Sequence, residues 1–291
     1  MAKLSMTYGV RLRSLFKLAI ADGTLDAIEV VPDGYAEHGD LALLQRRTRE
    51  LGVPVYLHCI SGSLASAEFP GPHYLDRVRR TIDALEPVHV SDHLTCMHAH
   101  PWNLGMNLPI VANETALQVA LDNVGRLAEA IAPVPLLLEH VPTYWKLRAS
   151  TMEPFEFYAR VIRESGIGAL VDLHNLYCDE RNLGVSAENH LELLPPDAIQ
   201  EVHLAGGGER RFGEHPPFYV DSHDSVSPAR VHELLRFILA RYQPYLVNIE
   251  RETSVRDLSE ILEDVRVARA IMDRDKGTDE DDGREDERRA G

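Results

Sequence analysis

Two hydrophobic rhythms alternate along this chain. Short runs rich in Val, Ile and Leu are separated by longer segments in which apolar residues recur every three or four positions. A short apolar run bounded by turn residues reads as a strand buried on both faces. Eight such runs occur, at Tyr8–Leu12, Ala27–Val31, Val53–Cys59, Val88–Leu94, Pro135–Val141, Ala169–Leu173, Glu201–Ala205 and Tyr245–Glu250. Between them the helical period is clear. Asp40–Leu51 opens on an acid able to cap and closes before Gly52. Asn113–Ala132 carries Leu117, Leu121, Val124, Leu127 and Ile131 on one stripe. Ser227–Tyr242 opens with Ser at the cap and Pro228 in the first turn, then turns Val231, Leu234, Leu235 and Ile238 inward. Ser254–Met272 does the same with Leu258, Ile261, Leu262 and Val265.

Eight strands joined mostly by helices predict an α/β protein, a (β/α)8 barrel. A doubly wound open sheet is the rival. It is weakened because no GxGxxG follows the first strand. Gly206–Gly208 follows the seventh strand without that spacing and reads as a flexible turn.

Composition narrows the class. A chain of 291 residues with 44% hydrophobic residues can bury a core without staples. Cys59, Cys96 and Cys178 are too few for a disulfide framework, which points to a reducing, cytoplasmic setting. The start lacks the apolar segment of a secretory signal, and no run of about 18 apolar residues suggests a membrane span. The net charge of −16 disfavours generic nucleic-acid binding, which depends on neutralising phosphates. Residues 273–291 hold nine acids, five bases and no large apolar side chain, so a disordered acidic tail is expected after a catalytic domain over 1–272.

The chemistry lies in what ends the strands. In a barrel, reactive groups gather at the C-terminal strand ends and the loops beyond. Here those places hold His58, Asp92-His93, Glu139-His140, Asp172, His203, Asp221, His223 and Glu250, with Glu29 in the second strand. One histidine at a strand end is usually a hydrogen-bonded polar group, and one buried acid usually has a salt bridge. So many on one rim need cations to offset their repulsion and desolvation. Imidazole and carboxylate without cysteine favour zinc, iron or manganese. Eight ligands, His58, His93, Glu139, Asp172, His203, Asp221, His223 and Glu250, suggest two or three ions with a bridging carboxylate.

The order His58, Ser91-Asp92-His93-Leu94, Glu139, Asp172-Leu-His-Asn175, His203-Leu-Ala-Gly206, Asp221-Ser-His223 and Glu250 resembles the DUF692 family of multinuclear non-haem iron-dependent oxidative enzymes. The likeness runs over about residues 5 to 270. It implies a xylose isomerase-like TIM barrel and three cation positions. His58, His93 and Glu139 would hold one ion. Glu139 would bridge to a second, held by Asp172, His203 and Glu250. Asn175, Asp221 and His223 would hold a third. Glu139, Asp172 and His203 are the expected catalytic set. The implied activity is O2-dependent modification of a ribosomally made precursor peptide, commonly at cysteine. Two to three irons of mixed Fe(II)/Fe(III) valence would do it, and a small leader-binding protein is the expected partner. The chain departs from the family where Gly207 ends His-Leu-Ala-Gly-Gly instead of a His, where His140 follows Glu139 instead of an Asn, and where Asp92 replaces a Glu.

The same ligands could serve a zinc-dependent phosphodiesterase. Against it stands an acidic body in which Arg46-Arg47, Arg79-Arg80 and Arg210-Arg211 are isolated pairs. A sugar isomerase would need a polarising lysine, for which Lys146 is the mid-barrel candidate. A non-catalytic barrel that binds a peptide or a partner is the third alternative.

Overall fold

The computed structural model describes residues 2–7, 13–33, 40–99, 102–211, 213–214, 216–251 and 260–274. Strands and helices alternate as β1 Lys3–Met6, α1 Arg13–Ala21, β2 Ile28–Val30, α2 Leu41–Arg49, β3 Val55–Cys59, α3 Pro72–Leu85 and β4 Val90–His93. A hairpin of β5 Cys96–Ala99 and β6 Trp102–Leu108 intervenes. The alternation resumes with α4 Glu114–Ile131, β7 Leu136–Glu139, α5 Pro154–Ser165, β8 Gly168–Asp172, α6 Leu173–Leu183, α7 Ala187–Leu191 and β9 Ile199–Leu204. A second small hairpin, β10 Gly208–Arg210 with β11 Phe218–Val220, precedes α8 Ala229–Leu239 and β12 Leu246–Ile249. A last helix, α9, covers 260–274.

Eight strands form one parallel sheet in the order β1-β12-β9-β8-β7-β4-β3-β2. A parallel bridge from Thr7 to Glu29 brings its two edges together, so the sheet is a nearly closed barrel. Register sets the rim: His93 lies opposite Glu139, Asp172 opposite His203, and His203 opposite Asn248.

The helices pack outside through the stripes read from the sequence. Leu117, Val124, Leu127 and Ile131 of α4 and Val231, Leu234, Leu235 and Ile238 of α8 are buried in one core with the outward faces of the strands. Each such side chain contributes about 1.5–3 kcal/mol by leaving water. Asn113 caps α4 through Ala116 N. Gly166 stops α5 at φ 71°, in the left-handed region that favours glycine.

Several expectations need correction. The first barrel strand is Lys3–Met6, whereas the expected Tyr8–Leu12 lies outside the described residues. Asp40 precedes α2 but makes no side-chain cap. α8 begins at Ala229 with Pro228 at the cap position, and Ser227 instead donates its backbone N–H to Asp264. Both small hairpins went unread, because a short strand in a loop lacks a long periodic signature. Gly206 and Gly207 are not a flexible turn. A Cβ on Gly206 would lie 2.4 Å from Ser225 O, so the backbone there is closely packed. α9 is described over 260–274, while the expected helix start at Ser254 and residues 275–291 of the expected tail lie outside the described residues. Among the described residues no helix is long and apolar enough to cross a membrane.

Candidate metal centre

Strand alternation sends every second residue of a barrel strand into the lumen. On β9, Val202 and Leu204 join the outer core, while Glu201 and His203 face inward with Glu29 of β2, His58 of β3 and Asn248 of β12. All five inward side chains are fully buried. Polar groups therefore fill space that apolar layers usually occupy in a barrel of this kind.

The rim groups converge. Ser91 Oγ donates to Leu57 O and lies 2.9 Å from His58 Nδ1, so the His58 proton sits on Nδ1 and Nε2 offers a lone pair. That Nε2 is 3.3 Å from Glu139 Oε2, and His93 Nε2 is 3.2 Å from the same oxygen. Among the described residues, His and carboxylate donor atoms lying within 4.8 Å of one another form four groups: His58, His93 and Glu139; Glu139, Asp172 and His203; Asp172, His223 and Glu250; and Glu29, His58 and His203. Glu139 and Asp172 each belong to two neighbouring groups, the position of a bridging carboxylate.

The outer part holds the residues implied for the third ion together with Glu250 and Asp172. His223 gathers with Asp172 and Glu250. Asp221 Oδ1 stands 2.7 Å from both His223 Nε2 and His174 Nδ1. Asn175 turns its amide to Glu139 Oε1 and His140 O, each at 3.2 Å. Glu250, implied as a ligand of the second ion, lies 3.0 Å from His203 Nδ1 and 3.4 Å from His223 Nδ1. His223 itself has φ 50°, a conformation that a non-glycine residue holds only when its surroundings enforce it.

Glu201 and His89 are parts of this network that the sequence reading does not single out, and Glu29 and His174, noted at their strand ends, join it without being ligand candidates. The two-residue spacing of Glu201 and His203 was the available signal. Asp92 faces away from the ligands: it accepts from Tyr74 OH, Gly62 N and His93 N, and burial pushes its carboxyl up to about 8. Lys146 pairs with Glu153 at the surface.

Burial governs the charges. It pushes the Glu139 carboxyl well up and the Asp172 carboxyl up to about 6, and it pulls His93 down to about 4. At His203 and His223 burial acts the same way, but the surrounding carboxylates outweigh it and hold both rings well above the usual histidine range. The metal-free cluster thus retains protons that bound cations would displace. His58 Nε2, Glu139 Oε2, Asp172 Oδ2 and Asn175 Oδ1 are buried without a hydrogen-bond partner among the described residues. Such atoms are costly unless something satisfies them. The donor set fits several divalent cations, because one ion satisfies three or more of these atoms at once. A cleft of about 270 Å³ leads to them, walled by Ile60, Met97 and Met106 beside His93, His223 and Glu250.

Known proteins place the chain. It is 31% identical over 246 residues to a UPF0276 protein of Rhizorhabdus wittichii, covering 84% of this chain and 86% of that one. It is 29% identical over 266 residues to a UPF0276 protein of Caulobacter vibrioides, covering 90% and 93%. Among solved structures, a xylose isomerase domain containing protein from Salmonella typhimurium superposes with a TM-score of 0.60 at 13% identity, over 93% of this chain and 97% of that one. Endonuclease IV from Thermus thermophilus superposes at 0.54 and 18%, over 94% and 99%. These two likenesses establish the fold: a xylose isomerase-like TIM barrel. Residues 7–273 match the family model described as RiPP precursor modification enzyme MbnB/TglH/ChrH, and this chain belongs to that family.

Proposed function

We propose that this protein is a cytoplasmic, multinuclear non-haem iron-dependent oxidase or oxygenase. Its substrate is a ribosomally synthesised precursor peptide, modified at cysteine with O2. The observation that carries the reading is the shared Glu139 carboxylate. One oxygen faces both His58 and His93, and the same side chain belongs to the group of Asp172 and His203. Adjacent cations joined by one carboxylate suit a reaction in which two partners must be held side by side.

His58, His93 and Glu139 would hold one iron. Glu139, Asp172 and His203 would hold the next, and Asp172, His223 and Glu250 the outermost. Bound iron would supply the electron transfers to O2 and a seat for a thiolate. The chain supplies the rest. Asp172 is fixed by the N–H of Asn175, so its other oxygen is free to face the cluster. Asp221 holds His223 and His174 in place from the mouth side. Ile60, Met97 and Met106 form an apolar entrance that sheds water from an incoming side chain. The protein's own thiols are poor rivals: Cys59 and Cys178 are buried, and burial pushes both up, away from the reactive thiolate. A small leader-binding protein belongs to this reading as the presenter of the peptide.

The test is protein expressed with iron and purified without air, then mixed with a cysteine-containing precursor peptide, under O2. Two to three irons per chain and a mass change at the cysteine are expected. At most one metal after anaerobic iron loading, or zinc with hydrolysis of a phosphodiester, would overturn the reading.

A further inference from the structure

Two buried carboxylates outside the proposed ligand set aim at one nitrogen. Glu201 Oε2 lies 2.7 Å from His89 Nε2, and His89 Nδ1 lies 2.8 Å from Tyr245 OH. The other Glu201 oxygen, Oε1, has no hydrogen-bond partner among the described residues and stands 3.4 Å from His203 Nε2. Glu29 is built the same way. Its Oε1 accepts from Asn248 Nδ2 at 2.6 Å and from Thr7 Oγ1 at 3.0 Å. Its Oε2 lies 3.0 Å from the same His203 Nε2. Each carboxylate is anchored by one oxygen and presents the other to the ring.

The far side of that ring faces the cluster. His203 Nδ1 is 3.0 Å from Glu250 Oε2, whose side chain gathers with Asp172 and His223. Barrel closure alone would account for Glu29 bonding Thr7 and Asn248. It leaves unexplained why a second acid, Glu201, is fully buried and pointed at the same nitrogen. A metal-bound imidazole commonly gives its second N–H to a carboxylate, which fixes the tautomer and strengthens the ligand.

We propose that Glu29 and Glu201 are positioning residues for His203: they keep its proton on Nε2 and turn Nδ1 to the cations. The proposal rests on the cation reading above. It makes His203 the mirror of His58, whose proton is held on Nδ1 by Ser91 and whose Nε2 faces Glu139. It also assigns the group of Glu29, His58 and His203 to orientation and not to a further ion.

The experiment uses the full chain with Co(II) alone as probe, under anaerobic conditions. Ions per chain, chelator-competition affinity and the visible d–d spectrum are read for the parent protein, Glu29→Gln, Glu201→Gln and Ser5→Ala. Ser5 bonds Asn248 in the same network without touching His203, so it reports the purely structural contribution. Both Gln variants are expected to keep the parent's ion count, to bind about 10–100-fold more weakly and to shift the spectrum. Ser5→Ala is expected to change neither readout by more than about twofold. Loss of a whole ion from Glu29→Gln would make Glu29 a ligand and overturn the proposal. Parent-like affinity and spectrum in both Gln variants would overturn it too, leaving the cation reading intact. A parent protein that binds no Co(II) would overturn both together. If a Gln variant fails to fold, Tyr245→Phe carries the test: it frees His89, and the affinity must fall by a few fold with a shifted spectrum, or the proposal fails.

Discussion

Gly207 and His174 compete for the same space: a Cβ on Gly207 would stand 2.8 Å from Cε1 of His174 and 2.1 Å from the carbonyl oxygen of Val220. The His174 ring reaches past this point to Asp221, 2.7 Å from its Nδ1. Gly207 is therefore the residue that admits the ring.

Gly207→Ala is accordingly expected to destabilise the protein by about 1–3 kcal/mol, the usual cost of overpacking. Gly125, exposed in α4 with nothing near its Cβ position, is the control. Gly125→Ala should stabilise by about 0.5–1 kcal/mol, since alanine suits a helix interior better. Urea unfolding of the two variants reads both signs.

Glu139 is shared by two donor groups, whereas Asn175 offers a single neutral amide oxygen. Glu139→Ala should therefore lose more bound iron than Asn175→Ala, because both the charge and the bridge disappear. Elemental analysis after anaerobic loading checks this, and equal metal contents would remove Glu139 from the bridging position.

Asp179 is buried, accepts a 2.6 Å hydrogen bond from Thr143 N, and is pushed up to about 7 by burial. The folded protein then holds this proton to higher pH than the unfolded chain, whose carboxyl titrates near 3.9. Its contribution to stability is full below about pH 4 and lost as pH rises through about 7. Asp179→Asn, which keeps the acceptor oxygen, should flatten the fall in melting temperature across that window. An unchanged slope would show that Asp179 is ionised in the fold.

Cys59 and Cys178 are buried, and Cys96 is half-buried. A thiol reagent added to the folded protein should modify Cys96 first, and all three only after unfolding. The variant with all three changed to Ser should retain peptide turnover. Its failure at full iron loading would transfer the chemistry to a protein thiol.

A chain ending at Arg274 should keep the melting temperature of the full protein within about 1 °C. Removing α9 should not, since Ile261, Val265, Ala268, Ile271 and Met272 of that helix are buried in the core. Calorimetry of the two truncations separates them.

Much of the barrel was legible because buried parallel strands and amphipathic helices leave strong local periods. The runs around Val55–Cys59, Leu136–Glu139 and Gly168–Asp172, and the stripes of α4 and α8, are set by neighbours a few residues away in sequence. The two small hairpins escape because strands so short carry no periodic signature, and the first strand because its partner lies elsewhere in the chain. No local period marks Lys3–Met6 as the strand that meets β12, more than 240 residues on.

The site divides along the same line. The amino-acid sequence by itself determined which chemistry is available: histidines and carboxylates at successive strand ends, no cysteine among them, and a motif order specific enough to indicate the family. Only the tertiary structure decided the grouping. It set His223 with Asp172 and Glu250, turned Asn175 toward Glu139, and placed Glu29 and Glu201 against His203. Strand alternation tells which residues face the lumen, but distances across the barrel depend on the stagger and closure of all eight strands together, which no local stretch of chain encodes.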